Sequence, residues 1–268
     1  MKVLQIVPEM HVGGVETGTL DLAKALVHAG HDAFVISHGG VLVQELQNAG
    51  VRHFQMPVHK KSLWTLIRMI FKVRRFIRMQ DIDIIHARSR VPAWIAFFAS
   101  IKTQARFVST VHGHYSPHFF SRIVGCAESV IAISSAIRDH CIQKLRIDAS
   151  RIKVIPRGVD LAHLTRRFDI FKEDIVRIGI VGRLVPLKGH DVFLQAIHLL
   201  EKKYPKIRAY IIGEPATGKE TYFATLKKMV ADLGLEEKIV FMEGKRNLEE
   251  IYQHLDVLVL SSVKPEGF

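Results

Sequence analysis

The chain of 268 residues is 48% hydrophobic and 24% charged, a composition typical of soluble globular proteins with one large domain or two ordinary ones. Its longest mostly apolar stretch, residues 63–77, holds four Lys or Arg side chains, and Cys126 and Cys141 lack zinc-knuckle or disulfide-framework spacing; a simple membrane span and both cysteine scaffolds are therefore excluded. The net charge of +12 lies mostly in residues 1–160, where 21 Lys and Arg stand against 11 Asp and Glu, so this half is expected to meet nucleic acid, a phospholipid surface or a phosphorylated substrate.

Short β-branched runs alternate with helical patterns through residues 1–160, as in βαβ units with a parallel sheet. The predicted strands are Val3–Val7, Ala33–Ser37, Arg52–Met56, Ile82–His86, Phe107–Val111, Ser129–Ile133 and Lys153–Pro156. Predicted helices between them include Glu16–Ala29, Ser62–Gln80 and Ser134–Leu145. This pattern predicts one complete, Rossmann-like, doubly wound domain. Its first apolar run is too short for a signal peptide, so a cytosolic protein is expected.

Residues 161–174 lose the pattern and are predicted to be a linker, and a second alternation fills residues 175–268. Its predicted strands are Ile175–Val181, Arg208–Ile212, Lys238–Phe241 and Val257–Leu260, and its predicted helices are Gly189–Tyr204, Lys219–Leu233 and Leu248–His254. The sequence thus predicts an α/β protein of two Rossmann-like, doubly wound, parallel-sheet domains. The second is expected to be incomplete, because the chain ends where its next helix should start.

Ligands of open parallel sheets bind beyond the carboxyl ends of the strands, so the residues after each strand are the candidates for a site. Gly13 and Gly14 follow the first strand and open a helix, where backbone amides can approach a phosphate closely. Their spacing is not that of a dinucleotide fingerprint, and an ordinary tight turn explains them equally well. His112 and His114 flank Gly113 after another strand and suggest a substrate pocket. With no third ligand at a suitable spacing, no metal site is predicted.

Arg183 and Lys188 form the strongest local pattern, because they frame a helix N-terminus after the strand Ile175–Val181. Two fixed cations and a helix dipole could neutralise a diphosphate leaving group without a metal. Two solvated surface cations are the alternative. Glu266, in the loop after the last strand, is a candidate contact for a sugar hydroxyl.

These motifs, in this order, resemble the retaining GT-B glycosyltransferases of family 4. The similarity rests on Gly182-Arg183-Leu184 with Lys188-Gly189, on Pro156-Arg157-Gly158-Val159-Asp160 and on Pro265-Glu266-Gly267-Phe268. Residues 86–90, His-Ala-Arg-Ser-Arg, and 110–113, Thr-Val-His-Gly, are similar to those of bacterial members that build lipopolysaccharide core. The family usually has asparagine where this chain has Arg157.

The resemblance implies an enzyme that moves a sugar from a nucleoside-diphosphate-sugar donor to a hydroxyl of a lipid-linked or surface-glycan acceptor, with no cofactor. Gly13 and Gly14 would lie near the donor phosphates and the acceptor, and His112 near the reacting sugar. Arg183 and Lys188 would hold the diphosphate, and Glu266 would contact the donor sugar. The second glutamate of the family's Glu-x7-Glu motif would fall beyond Phe268, so an inactive, truncated remnant that binds nucleotide-sugar weakly or not at all is the alternative.

Residues 60–78 contain seven cations and no acid, with apolar residues at helical spacing. Such a helix can lie in an anionic membrane interface, here the inner face of the cell membrane, or it can cover a sheet with a solvated basic face; the sequence leaves both open. A nucleic-acid-binding protein is the other class considered. It is disfavoured because the chain has no recognition-helix signature and no interleaved aromatic stacking residues.

Overall fold

Two parallel sheets form the framework of the residues described by a computed structural model of the chain, which are 1–158, 174–215, 220–244 and 248–264. The first sheet consists of β1 (Lys2–Ile6), β2 (Asp32–Ser37), β3 (Arg52–Gln55), β4 (Ile84–Ala87), β5 (Arg106–Val111), β6 (Ser129–Ala132) and β7 (Ile152–Val154). The second consists of β8 (Val176–Val181), β9 (Ile207–Ile212), β10 (Ile239–Met242) and β11 (Val257–Leu258).

Helices connect the strands of both sheets. They are α1 (Gly14–His28), α2 (Val43–Asn48), α3 (Leu63–Gln80), α4 (Arg90–Ser100), α5 (Phe119–Arg122), α6 (Ser135–Gln143), α7 (His190–Glu201), α8 (Glu220–Asp232) and α9 (Leu248–His254). The predicted α/β class with two doubly wound parallel sheets is confirmed. The chain divides into two compact units, Met1–Gly158 and a second unit containing β8 to β11; each is described by itself below.

In the first unit the strand order is β3-β2-β1-β4-β5-β6-β7, and the order reverses between β1 and β4. Alternate side chains of each strand enter separate cores on the two faces of the sheet, as the two-residue period of a strand requires. Phe34 and Ile36 of β2 lie in one core, while Ala33 and Val35 lie in the other. Helices cover both faces, and the carboxyl edge of the sheet at the β1–β4 reversal is therefore the expected site.

The second unit repeats this plan with the order β10-β9-β8-β11, so its reversal lies between β8 and β11. Ile178 and Ile180 of β8 belong to the core on one face, and Tyr210 and Ile212 of β9 belong to the core on the other. The loop after β8 thus emerges at the reversal of the second sheet, where open α/β sheets bind ligands.

Several predicted ends shift by one to three residues, for local reasons. The predicted strand Ile82–His86 becomes Ile84–Ala87, because Asp81 adopts a left-handed conformation and the Ile82 amide bonds back to the Ile77 carbonyl, which closes α3. The predicted strand Lys153–Pro156 ends at Val154, and proline has no amide hydrogen to extend the ladder.

Some of the predictions fall outside the described residues. They are the linker at 161–174, apart from Asp174, the start of the helix predicted from Lys219, and the terminal Pro265-Glu266-Gly267-Phe268 segment with Glu266. The boundaries at 160 and 174 and the role of Glu266 stay predictions.

Candidate active site

Gly13 and Gly14 lie at the start of α1, beyond the carboxyl end of β1. Gly13 is the N-cap residue, and its carbonyl accepts a hydrogen bond of 2.9 Å from the Thr17 hydroxyl. A Cβ on Gly13 would overlap the carboxylate of Glu16, which folds back over this end of the helix. The predicted glycine pair is therefore placed at the helix N-terminus at the sheet reversal, where a Cβ would meet the mobile ends of the Glu16 and Arg157 side chains.

His112 follows β5 and is partly buried at the same edge, and its Nε2 has no hydrogen-bond partner among the described residues. Burial, and then the positive charges of Arg88 and Arg157, lower its pKa to about 3. His112 is therefore a neutral imidazole at physiological pH, able to hydrogen-bond a ligand but not to supply a charge.

His112 and His114, which were predicted to line one pocket, have different neighbours in the structure. The ring of His114 is exposed and packs edge-on against His140 of α6 at 4.9 Å, whereas His112 lies within reach of Arg88 and Arg157. A different histidine is tied to this part of the sheet: buried His86 of β4 forms a 2.7 Å hydrogen bond with the Thr110 hydroxyl of β5.

Arg88 and Arg157 were not singled out as site residues by the sequence motifs, yet both belong to this edge. Arg88 follows β4 and is only 7% exposed. Arg157 follows β7, donates a 2.6 Å hydrogen bond to the Gly14 carbonyl, bonds the Thr17 hydroxyl and lies 3.8 Å from an Asp21 carboxylate oxygen. Burial and the neighbouring charge of Arg157 lower the pKa of Arg88 to about 10, and Glu16 and Asp21 oppose that shift.

In the second unit, the loop from Gly182 to Gly189 carries the predicted cations Arg183 and Lys188. The side chain of Lys188 crosses Gly182, since a Cβ on that glycine would lie 3.4 Å from the lysine Cε. Arg183 is exposed, and the next residue, Leu184, is buried and anchors the loop through a hydrogen bond from its amide to the Glu214 carbonyl. The two cations thus sit on one anchored loop after β8.

Gly189 fixes the end of this loop. Its φ of 66° is left-handed, and a Cβ there would overlap the carbonyl oxygen of Ser261. The Ser261 hydroxyl bonds the carbonyls of Lys188 and Gly189, at 3.1 and 2.9 Å. The chain after β11 thus contacts the start of α7, and the predicted proximity of the terminal segment to the Lys188 loop is observed as far as Val263, whose amide bonds the Leu187 carbonyl at 3.0 Å.

The described residues were also compared with the requirements of a metal site and of a reactive thiol. Within residues 1–158, 174–215, 220–244 and 248–264, no three His, Cys, Asp or Glu side chains are arranged to hold a metal ion. Cys141 is buried, which raises its thiol pKa to about 11, and Cys126 is exposed. Neither thiol is grouped with the residues of the candidate site.

Helix α3 contains the basic stretch that the sequence left open between two interpretations. Met69, Val73, Phe76 and Ile77 are buried against the sheet, so the helix does cover it. Its amino-terminal half nevertheless exposes large apolar side chains, namely Leu63, Trp64, Ile67 and Phe71, with Trp64 83% exposed. The buried side chains of α3 begin at Met69, and Leu63 and Ile67 before them are exposed. Across the residues that the structure covers, no helix has the length and apolar character to cross a membrane.

An aromatic surface continues from α3 to α5. Arg74 lies 6.0 Å from the centre of the Phe71 ring and donates a hydrogen bond to the Phe98 carbonyl. Phe98 stacks on Trp94 at 5.8 Å, and the Trp94 indole donates a 3.1 Å hydrogen bond to the Phe120 carbonyl. We call the exposed part of this surface the aromatic face; it consists of Leu63, Trp64, Ile67, Phe71, Phe119 and Phe120.

Comparison with known proteins matches both units to glycosyltransferase families. Residues 12–163 match the model of Glycosyltransferase Family 4, and residues 165–268 match that of Glycosyl transferases group 1. Among solved structures, a glycosyltransferase from Rickettsia africae is similar with a TM-score of 0.85 and 29% identity, over 100% of this chain and 74% of that one. Anabaena HepE, solved with UDP and glucose, is similar in fold with a TM-score of 0.84 and 23% identity, over 100% of this chain and 76% of that one.

Curated relatives are similar over part of their length. D-inositol 3-phosphate glycosyltransferase of Stackebrandtia nassauensis is 27% identical over 212 residues, 67% of this chain and 47% of that protein. One component of human phosphatidylinositol N-acetylglucosaminyltransferase is 24% identical over 223 residues, 76% of this chain and 46% of that protein. The chain therefore spans about half the length of the curated relatives it matches.

Proposed function

We propose, from the premise that the chain belongs to Glycosyltransferase Family 4, that it transfers a sugar from a nucleoside-diphosphate-sugar to a hydroxyl of a lipid-linked or surface-glycan acceptor. The observation that carries the proposal is the anchored loop of the second unit, which holds Arg183 and Lys188 between two glycines at the sheet reversal. Open parallel sheets bind ligands at this edge, and two cations match the negative charge of a diphosphate.

Arg183 and Lys188 act on the leaving group. Negative charge builds up on the diphosphate as its bond to the anomeric carbon breaks, and fixed cations beside the N-terminus of α7 stabilise that charge in the transition state. Glu266, outside the described residues, contacts the donor sugar in this proposal. No resident cofactor or metal is required, because the two cations and the helix dipole supply the positive charge.

The reaction retains the configuration of the anomeric carbon. The acceptor oxygen bonds to that carbon on the face from which the diphosphate departs, and the acceptor proton passes to the leaving phosphate. Gly13 and Gly14 give the donor phosphates and the acceptor a close approach to backbone, and neutral His112 hydrogen-bonds a hydroxyl of the reacting sugar. The low pKa of His112, about 3, supports this role, since a cation beside the reacting carbon would oppose positive charge developing there.

The acceptor is proposed to be membrane-bound and reached from the inner face of the cell membrane. The basic stretch 60–78 and the aromatic face support this, because cations attract anionic headgroups and aromatic rings settle at the interface. Lipopolysaccharide core is one acceptor of this kind. The names of the curated relatives add a second kind, an inositol phosphate or a phosphatidylinositol.

Donor binding tests the assignment of Arg183 and Lys188. A thermal-shift screen with UDP-, GDP- and ADP-sugars is expected to raise the melting temperature with one nucleotide, because that ligand binds only the folded state. R183A and K188A should each abolish the shift. R208A is the matched control, since Arg208 is exposed near the amino end of β9, the opposite edge of the sheet.

Two outcomes would count against the proposal. An unchanged shift in R183A and K188A would remove the diphosphate assignment. A flat response to every nucleotide-sugar, together with no transfer of radiolabelled sugar to membrane extracts, would leave this chain without the proposed activity and favour the non-catalytic alternative.

A further inference from the structure

Arg88 and Arg157 converge on one helix residue of the first unit. A Cβ on Gly18 of α1 would lie 3.1 Å from Arg88 Nη2 and 3.6 Å from Arg157 Nε. Both guanidinium groups therefore face the same turn of α1, and the absence of a side chain at Gly18 leaves them room. His112 belongs to the same group, because it follows β5, the strand paired with β4 that ends just before Arg88, and both arginines lower its pKa.

Arg88, Arg157 and His112 form what we call the arginine cluster, and two of its buried nitrogens have no hydrogen-bond partner in the described part of the chain. Arg88 is 7% exposed, and its Nε is buried without a hydrogen bond to any residue in the described part of the chain. Its contact with the Gln5 side chain is long, 3.4 Å from Arg88 Nη1. His112 Nε2 is likewise buried and unpartnered there. Because unpaired buried polar groups are costly, such a cluster is expected to meet a polar ligand.

The carboxylates that face the cluster do not neutralise it fully. Asp21 lies 3.8 Å from Arg157 Nη2, and its side chain is 60% exposed, so water weakens the pair. Glu16 folds over the helix N-terminus at Gly13. Burial and the charge of Arg157 lower the pKa of Arg88 more than the Glu16 and Asp21 carboxylates raise it, and the result is a pKa of about 10. The surroundings of Arg88 therefore destabilise its positive charge. An anion would stabilise both guanidinium groups.

We propose that Arg88 and Arg157, beside His112, bind a phosphate group carried by the acceptor, an inference that rests on the proposed function. A guanidinium carries five N–H donors. Arg157, which bonds the Gly14 carbonyl and the Thr17 hydroxyl, and Arg88, whose Nε has no partner in the described residues, can therefore each also donate to a phosphate oxygen. The donor diphosphate has its own cations in the second unit, Arg183 and Lys188. Asparagine, usual in the family at the position of Arg157, could not supply this charge.

Inorganic phosphate is the probe, measured by titration calorimetry at constant ionic strength with the full chain. The variant R183A/K188A removes the proposed diphosphate cations, so phosphate binding that remains in it is assigned to the first unit. Adding R157Q is expected to weaken that binding at least about tenfold, the effect of losing a charged hydrogen-bonding pair. R106Q is the matched control: it removes one positive charge at the opposite, amino edge of the same sheet.

Gly18→Ala is the second variant, and it tests the phosphate site without removing a charged side chain. Alanine favours a helix more than glycine does, so α1 should be retained, while the added methyl group crowds Arg88 Nη2. Phosphate binding should weaken several-fold, in keeping with steric displacement of one guanidinium. Phosphate affinity that is unchanged in both R157Q and G18A, or is absent from R183A/K188A, would overturn the proposal.

UDP distinguishes the two possible sources of the phosphate. With Arg183 and Lys188 intact, R157Q should bind UDP as the wild-type chain does and lose affinity only for inorganic phosphate. If R157Q weakens UDP and phosphate equally, the cluster serves the donor, and the acceptor assignment is wrong. The donor proposal fails separately, through R183A and K188A in the nucleotide-sugar screen.

Discussion

Protonation of His112 links the candidate site to the stability of the first unit. Its pKa is about 3 in the folded chain and about 6.5 in an unfolded one, so between these values the unfolded state binds the extra proton. The free energy of unfolding is therefore independent of this histidine above pH 6.5. Below that pH it falls as the pH drops toward 3, by up to about 1.4 kcal/mol per pH unit.

H112N should therefore lose less stability than wild type between pH 6 and pH 4. Urea unfolding at several pH values measures this as a difference in slope between the two proteins. H114N is the matched control, because it removes an exposed histidine from the same edge. Parallel slopes for wild type and H112N would contradict a strongly depressed pKa. Buried His86 remains in both proteins; burial and Arg88 lower its pKa more than His112 does, so H112N removes only the smallest of the three causes.

Single residues near a strand end were predictable where a local motif surrounds them. Gly13, Gly14, Arg183 and Lys188 all lie between the strand and the helix start where the sequence placed them, because the strand before and the helix after them were both predicted. Arg157 was noted only as a departure from a pattern. Arg88 and Arg157 are 69 positions apart in the sequence, and they meet only in the folded chain, where both approach Gly18 of α1. A list of charged residues after strands would have included Arg88.

At the scale of elements, α3 covers the sheet, as one of the two interpretations of its sequence predicted, and it also exposes large apolar side chains. Its central and last turns bury an apolar stripe, while its first two turns expose one. At 3.6 residues per turn, exposed Ile67 lies on a different side of α3 from buried Val73 and Phe76. Apolar residues occur on both sides of this helix, and the contacts of the folded chain decide which side is buried.

The exposed half of α3 predicts preferential binding to anionic vesicles. Wild type should cosediment with vesicles containing anionic lipid more than with neutral ones, and rising salt should reduce this, since each Lys or Arg near the surface contributes about 1 kcal/mol of salt-sensitive attraction. W64A and F71A should each weaken binding about tenfold by removing an aromatic anchor.

L199A is the matched control for these two variants, because Leu199 is similarly exposed but lies on α7 of the second unit. Equal binding to neutral and anionic vesicles would remove the membrane proposal. A loss in L199A as large as that in W64A would show that general hydrophobicity, and not the aromatic face, drives the association. Salt-sensitive retention on DNA, with no preference among vesicles, would instead favour a nucleic-acid partner.

For the whole molecule, the alternation of strand and helix was enough to predict two parallel sheets, since parallel strands need a crossover between them. The order of the strands was not predictable from this pattern, although it decides which loops meet. β1 lies beside β4 and β8 beside β11, so the residues at each reversal come from distant parts of the chain.

The division into two units predicts that the first unit alone binds the acceptor phosphate and that the donor requires the second unit. Residues 1–158 contain a seven-stranded sheet with its own core on each face, so a chain of these residues is expected to fold alone and to unfold in one cooperative transition. Circular dichroism on heating measures this. Because Arg88, Arg157 and His112 all lie within it, the shortened chain should bind inorganic phosphate with the affinity of R183A/K188A and should not bind UDP. A folded fragment that binds UDP would place the donor cations in the first unit and contradict the assignment of Arg183 and Lys188.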